Sequence, residues 1–193
     1  MSTAVTVALL FFFSVALNEQ VTEGCRCLQR HPQQDFCSSD IVIRAKVIGK
    51  VSSTVPGLTA YKIQTIQTFK QSDQKRIQVI YITQTSCGFD LENSEYLLSG
   101  RVEDGRVVLD LCDLVKPWNK LSQVQKWYLS MYQKGCVCEI SRCTGESCLN
   151  EMLQKKCLMR VTNIFRLDDE KALQSICLPG NDGFCSWQQI LEK

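Results

Sequence analysis

Twelve cysteines and a single histidine set the limits on what this chain can do chemically. A cysteine sulfur either ligates metal as a thiolate or is oxidised to a disulfide, and the compartment decides between them. Cys136-Val137-Cys138 with Cys143 and Cys148 has a spacing that suits zinc, and Cys25-Arg26-Cys27 brings two sulfurs together near the start. Against zinc stands the run from Ala4 to Leu17, apolar and uncharged, followed by the polar stretch NEQVTEG. It is too short to span a bilayer and matches the apolar core of a secretory signal. An exported chain meets an oxidising environment, so the cysteines are expected as bridges and the zinc reading is the weaker one. On spacing alone, Cys25 and Cys27 are two half-cystines. One histidine cannot build a Ser-His-Asp triad or a histidine zinc site, and Pro32 after His31 biases it to extended backbone in a structural role. Phosphate loops, G-x-S-x-G, H-E-x-x-H, EF-hand loops and N-x-[ST] sites are absent from the sequence. The net charge of +2 argues against a strongly basic nucleic-acid binder. Lys70, Lys75 and Arg76 form either a solvated loop or a contact for an anionic matrix polysaccharide.

The elements that must hold these residues divide the chain in two. Six cysteines (25, 27, 37, 87, 112 and 136) are widely spaced, and six (138, 143, 148, 157, 177 and 185) are crowded. Residues 25–136 carry 15 basic and 10 acidic side chains, net +5, whereas 137–193 carry 7 and 8, net −1. In the first part Ile41–Val51 is β-branched, with Ile43, Ala45 and Val47 on one face and Arg44, Lys46 and Lys50 on the other. Pro56-Gly57 marks a loop tip, and further strands are expected at 61–69, 77–83, 95–102 and 106–111, the last two joined through Glu103-Asp104-Gly105. Leu121, Val124, Tyr128 and Met131 recur at helical spacing, Ser122-x-x-Gln125 reads as a capping box, and Gly135 stands where a helix C-cap belongs. Five short strands closed by a helix suggest a small barrel of the OB type. The second part has little periodicity and too few residues for an unaided core, so bridges must stabilise it. Spacing does not say which cysteines pair. Small residues allow signal cleavage after Ala16 or after Gly24, and sequence rules alone lean slightly to Ala16.

Cys25-Arg26-Cys27, His31-Pro32-Gln33, Phe36-Cys37, Asp40 and Val42-Ile43-Arg44-Ala45-Lys46 resemble the opening of the tissue inhibitors of metalloproteinases. Cys87-Gly88, Cys112, Pro117-Trp118, Leu121-Ser122, Gln125, Gly135-Cys136 and Cys185-Ser186-Trp187 follow in that family's order, so the resemblance runs from Cys25 to Trp187. It implies a mainly β chain with helices: a signal peptide 1–24, a five-stranded OB-fold (netrin-like) inhibitory domain 25–136, and a small disulfide-rich C-terminal domain 137–193. It implies the pairings Cys25–Cys87, Cys27–Cys112, Cys37–Cys136, Cys138–Cys185, Cys143–Cys148 and Cys157–Cys177. It also implies cleavage after Gly24, because the family begins at this cysteine.

The function so implied is that of a secreted inhibitor, not an enzyme, binding matrix metalloproteinases and related zinc proteases one to one. The free amine and carbonyl of Cys25 would chelate the protease's zinc and displace its water. Arg26 would enter or abut the S1′ pocket, Cys27 and Leu28 would follow the cleft, and Gln84, Thr85 and Ser86 would flank it, with the loop 52–60 as a third contact. The only metal is the zinc that the partner supplies; the chain has no cofactor of its own. A monomer in the extracellular space or matrix is expected, without a membrane span or nucleic-acid partner. Arg26 departs from the family's threonine or serine, Gln29 from a common proline and Asp35 from a common alanine. The alternative is a netrin-like module that engages a receptor, a proenzyme or matrix and inhibits little because of Arg26.

Overall fold

The strand IVIRAKVIGKV shows why sequence patterning here is only partly periodic. In the computed structural model it is β1 (Ile41–Val51), and its two faces enter two different cores. Ile41, Ile43, Ala45 and Val47 point into a barrel, whereas Val42 points outward under a set of helices. Both faces are therefore apolar at the start of the strand, and alternation emerges only towards Lys46 and Ile48, which are exposed. The structure describes residues 25, 27–28, 30–71, 76–85, 87–149, 155–161 and 174–189. The expected signal segment lies outside them.

After β1 come β2 (Leu58–Lys70), β3 (Val79–Thr83), β4 (Glu95–Glu103) and β5 (Arg106–Leu109). The hydrogen-bonded order β1-β2-β3-β5-β4 is closed by pairing of β4 back to β1, which makes a five-stranded barrel. Only β3–β5 is parallel. A short β6 (Val115–Pro117) extends β4 on its outer edge. The barrel interior is filled by Ile43, Val47, Tyr61, Ile80, Leu98 and Leu109 among others, an OB-type core. The β4–β5 turn is Asp104-Gly105, with φ of 50° and 74°. Two left-handed residues in a two-residue hairpin are what the right-handed twist of the strands requires.

A helix that sequence periodicity missed, α1 (Pro32–Ser38), ties the chain's start to its end. Pro32 occupies the first turn, and His31 and Gln34 form a reciprocal capping box. His31 is fully buried against Trp187 and Tyr132, with ring centroids 5.1 and 6.4 Å away. Gln33, also buried, donates from Nε2 to the carbonyls of Gly135 (3.0 Å) and Cys177 (2.8 Å), and its Oε1 accepts from the Cys177 amide. One amide side chain thus satisfies three backbone groups across 144 residues of sequence.

The expected helix around 121–131 is two short ones, α2 (Gln123–Tyr128) and α3 (Tyr132–Gly135). The Ser122–Gln125 capping box forms as expected. Gly135 does not terminate a helix in a left-handed conformation; it lies in α3. A β-carbon there would meet Cys177 O and Gln33 Nε2 at 2.4 Å, so glycine is required for close packing rather than for a turn. Val42, Leu97, Phe36, Tyr128, Tyr132 and Ile176 form a second core between barrel and helices.

The C-terminal part contains β7 (Glu139–Cys143) parallel to β8 (Lys156–Arg160), and β9 (Ser175–Pro179) antiparallel to β10 (Cys185–Gln189). Their core is mainly sulfur: Cys138, Cys157, Cys177 and Cys185 pack with Ile140, Met159 and Val161. Six disulfides link 25–87, 27–112, 37–136, 138–185, 143–148 and 157–177. No described helix is long and apolar enough to cross a membrane.

Candidate functional site

Cys25 is exposed, yet its sulfur is bridged to Cys87 with the α-carbons 5.6 Å apart. Cys27 is bridged to Cys112 at 5.3 Å. These bridges tie residues 25 and 27 to the segments that follow β3 and β5. Leu28, 52% exposed, stands next to the second bridge. Gln84 and Thr85 are exposed on the neighbouring segment. The Gln84 amide donates to Gly57 O at 2.7 Å, and its side chain donates to Thr59 Oγ1 at 2.9 Å. The loop 52–57 is thereby fastened to that segment, around a recess of about 430 Å³. Thr85 folds the backbone back: Cys87 N donates to its hydroxyl and Gly88 N to its carbonyl. Cys25, Cys27, Leu28, Gln84 and Thr85 are thus brought to one edge. Arg26 and Ser86 lie outside the described residues.

A trio that the sequence did not disclose ties β1 and β2 to the segment that precedes β4. Tyr61 Oη donates to Asp90 Oδ1 at 2.8 Å and accepts from the Leu91 amide at 3.2 Å, while Lys50 pairs with Asp90 at 2.7 Å. The bond from Lys50 holds the Asp90 carboxyl below its ordinary value, and the same bond raises Lys50. Burial pushes the Tyr61 phenol up. No local pattern links Lys50, Tyr61 and Asp90; strand register brings them together. On the other flank Thr83 Oγ1 donates to Asp110, and Asp113 accepts from the Asp110 amide at 2.7 Å, fixing the turn that carries Cys112.

The edge offers unusual chemistry. Every cysteine is in a disulfide, so no thiol is free, and His31 is buried. With its sulfur taken up by the crosslink, Cys25 has only backbone atoms left to offer as donors. The family model for tissue inhibitor of metalloproteinase matches residues 23–187. The chain belongs to this family. Metalloproteinase inhibitor 3 of Scyliorhinus torazame is 32% identical over 194 residues, covering 96% of this chain and 91% of that protein. Metalloproteinase inhibitor 2 of Homo sapiens is 33% identical over 180 residues, covering 86% and 81%. The rabbit (Oryctolagus cuniculus) metalloproteinase inhibitor 2 is 35% identical over 178 residues, covering 84% and 91%.

This family member carries a charge cluster on α1. Arg30 Nε lies 3.4 Å from Asp35 Oδ1, and Arg30 Nη2 donates to Gln34 O and Ser38 Oγ. Burial pushes the Asp35 carboxyl up to about 6, against the pull of Arg30 and Lys116 and with added repulsion from Asp113. Burial likewise raises Asp113. Because the folded value of Asp35 exceeds the unfolded one, the native state binds the extra proton, and stability is lost as pH rises from about 4 through about 6. Asp35→Asn is therefore expected to stabilise the fold at neutral pH by about 2–3 kcal/mol, and by nothing below pH of about 4. Thermal melts of both proteins across that range check this.

Of the basic trio, Lys70 is turned onto backbone and not outward. Lys70 Nζ donates to the carbonyls of Phe36 (3.1 Å) and Cys37 (2.8 Å), at the C-terminal end of α1. Burial lowers its pKa. Arg76 is exposed, and Lys75 lies outside the described residues.

Proposed function

We propose that the chain is exported, loses residues 1–24 and acts as a stoichiometric inhibitor of zinc metalloproteases, matrix metalloproteinases foremost. The observation that carries this reading is an exposed Cys25 whose sulfur is consumed by the bridge to Cys87. In the mature chain its α-amino nitrogen and carbonyl oxygen are the remaining donors, and together they can close a five-membered chelate on the protease's zinc. Such a zinc holds three protein ligands and a water, so an incoming amine takes the water's position and removes the nucleophile. An α-amine has a pKa of about 7.7–8.0, so freeing its lone pair near neutrality costs about 1 kcal/mol, against about 4 for a lysine.

The two bridges and the Thr85 turn keep the edge stiff, which limits the entropy lost on docking. Leu28 and Thr85 then make apolar and polar contacts along the cleft, Arg26 meets S1′, and the loop 52–57 widens the footprint. The family match and the inhibitor names of the relatives support reading the chain as an inhibitor and not as an enzyme. Relatives named as metalloproteinase inhibitors, matched over most of this chain, support the partner class.

Titration of the secreted chain against several matrix metalloprotease catalytic domains tests the proposal. Activity is expected to fall linearly to an end point at one inhibitor per enzyme. No inhibition of any of them at about micromolar concentration, a weak affinity for interfaces of standard size, would overturn it in favour of a netrin-like binding module.

A further inference from the structure

Asp35 is an expensive residue to keep. Its side chain is 16% exposed, its charge opposes folding at neutral pH, and its ion-pair partner Arg30 is 42% exposed. A half-exposed pair returns little stability. A carboxyl whose pKa is displaced by burial and by specific neighbours is a candidate for a functional role. The surroundings say which role. Arg30 is the last residue before the cap of α1, on the path from the Cys27–Cys112 bridge into the fold. Its guanidinium turns back onto α1, meeting Asp35, the Gln34 carbonyl and Ser38 Oγ.

The charged and titratable groups around this anchor come from every neighbouring element. Lys116 of β6 attracts Asp35, and Asp113, beside Cys112, repels it. Tyr132 of α3, whose hydroxyl is buried without a hydrogen-bond partner among the described residues, feels the Asp35 charge. Arg142 of β7 faces Arg30, and Arg101 and Asp110 flank Asp113. The cluster therefore lies between the α1 cap and the turn that carries Cys112, where the start of the chain is fixed.

We propose that Asp35 is a positioning residue for the edge: ionised, it holds Arg30 together with the Gln34 carbonyl and Ser38 Oγ and so sets the direction in which the chain leaves α1 towards Cys27; protonated, it weakens that anchor to the two neutral hydrogen bonds. Inhibition then has an acid-sensitive component built into this chain's own side chains. The relevant window is centred near the Asp35 value of about 6. Acidification loosens the edge while it firms the fold, so potency and stability move in opposite directions. A residue with a merely structural role would move them together. The inference rests on the inhibitory reading of the edge.

The test is inhibition of one matrix metalloprotease catalytic domain between about pH 5 and about pH 8 by the disulfide-intact wild type, Asp35→Asn, Arg30→Met and the double variant. The ratio of variant to wild-type inhibition constants cancels the protease's own pH response and that of the α-amine. At about pH 7.5 each single variant is expected to weaken inhibition about three- to fivefold, the scale of a half-exposed ion pair, and the double variant no further. The ratio for Asp35→Asn should fall to one by about pH 5, although that variant melts higher than wild type at about pH 7.5. A ratio independent of pH, or unchanged potency in both single variants, overturns the proposal. If wild type inhibits at no pH, the reading of the edge fails instead, and the anchor is read from amide exchange of Cys27 and Leu28 in the free chain. Exchange several-fold faster in Asp35→Asn at about pH 7.5 supports the anchor, and equal rates overturn it.

Discussion

Carbamylating the α-amine of mature Cys25, or leaving one extra residue ahead of it, should weaken inhibition by at least about a thousandfold. A carbamylated nitrogen is amide-like: its lone pair is delocalised, it is not basic, and it cannot bind zinc. The chelate then loses a ligand, and the added atoms occupy the space that the displaced water leaves. A thousandfold corresponds to about 4 kcal/mol. The fold should not notice, because Cys25 is exposed and its structural bond is the sulfur bridge to Cys87. Inhibition constants before and after modification, with unchanged melting temperature and a mass shift confined to the N-terminal peptide, give the answer. Full potency after complete modification would remove the chelation mechanism while leaving the family assignment intact.

A site built from backbone atoms, as proposed, would explain what the sequence reveals about it and what it conceals. Cys25-Arg26-Cys27 reads, on spacing alone, as two half-cystines, because a chelating amine and carbonyl have no side-chain signature. Only the wider set of residues from Cys25 to Trp187 that matches the family points to chemistry there. The barrel is more legible, since β-branched runs at β1, β2 and β3 carry strand propensity whatever surrounds them. Its strand ends are less so: β2 begins at Leu58 because hydrogen bonds to β3 extend it past the apolar stretch that opens at Tyr61. The C-terminal sheets left almost no periodic trace, because sulfur packing and contacts with α1 replace an apolar stripe. Gly135 stands where the sequence pattern expects a helix C-cap, but it lies within α3 and its requirement is set by Gln33, distant in sequence. Arg30 with Asp35, and Lys50 with Tyr61 and Asp90, are invisible for the same reason: tertiary structure, not local spacing, makes them neighbours.

Replacing Arg26 by Thr should tighten inhibition by about ten- to a thousandfold against proteases with a shallow, apolar S1′ pocket, and by far less against deep ones. A guanidinium is always ionised, and taking it out of water without a partner costs several kcal/mol. In a deep pocket the three-methylene stem lies along apolar walls while the head reaches solvent or an acidic group, so much of that cost disappears. Threonine removes the charge and keeps a short side chain; Arg26→Met keeps the length and removes only the charge. If desolvation governs, Met and Thr both improve binding to shallow pockets, and Met rivals arginine in deep ones. Inhibition constants for the three proteins across proteases that differ in pocket depth decide this. The gain from Thr should also change little with salt, because it comes from a desolvation cost removed and not from a long-range attraction. Weaker inhibition by Arg26→Thr throughout the series would show instead that the arginine meets an acidic partner, with its charge a source of affinity rather than a restriction on it.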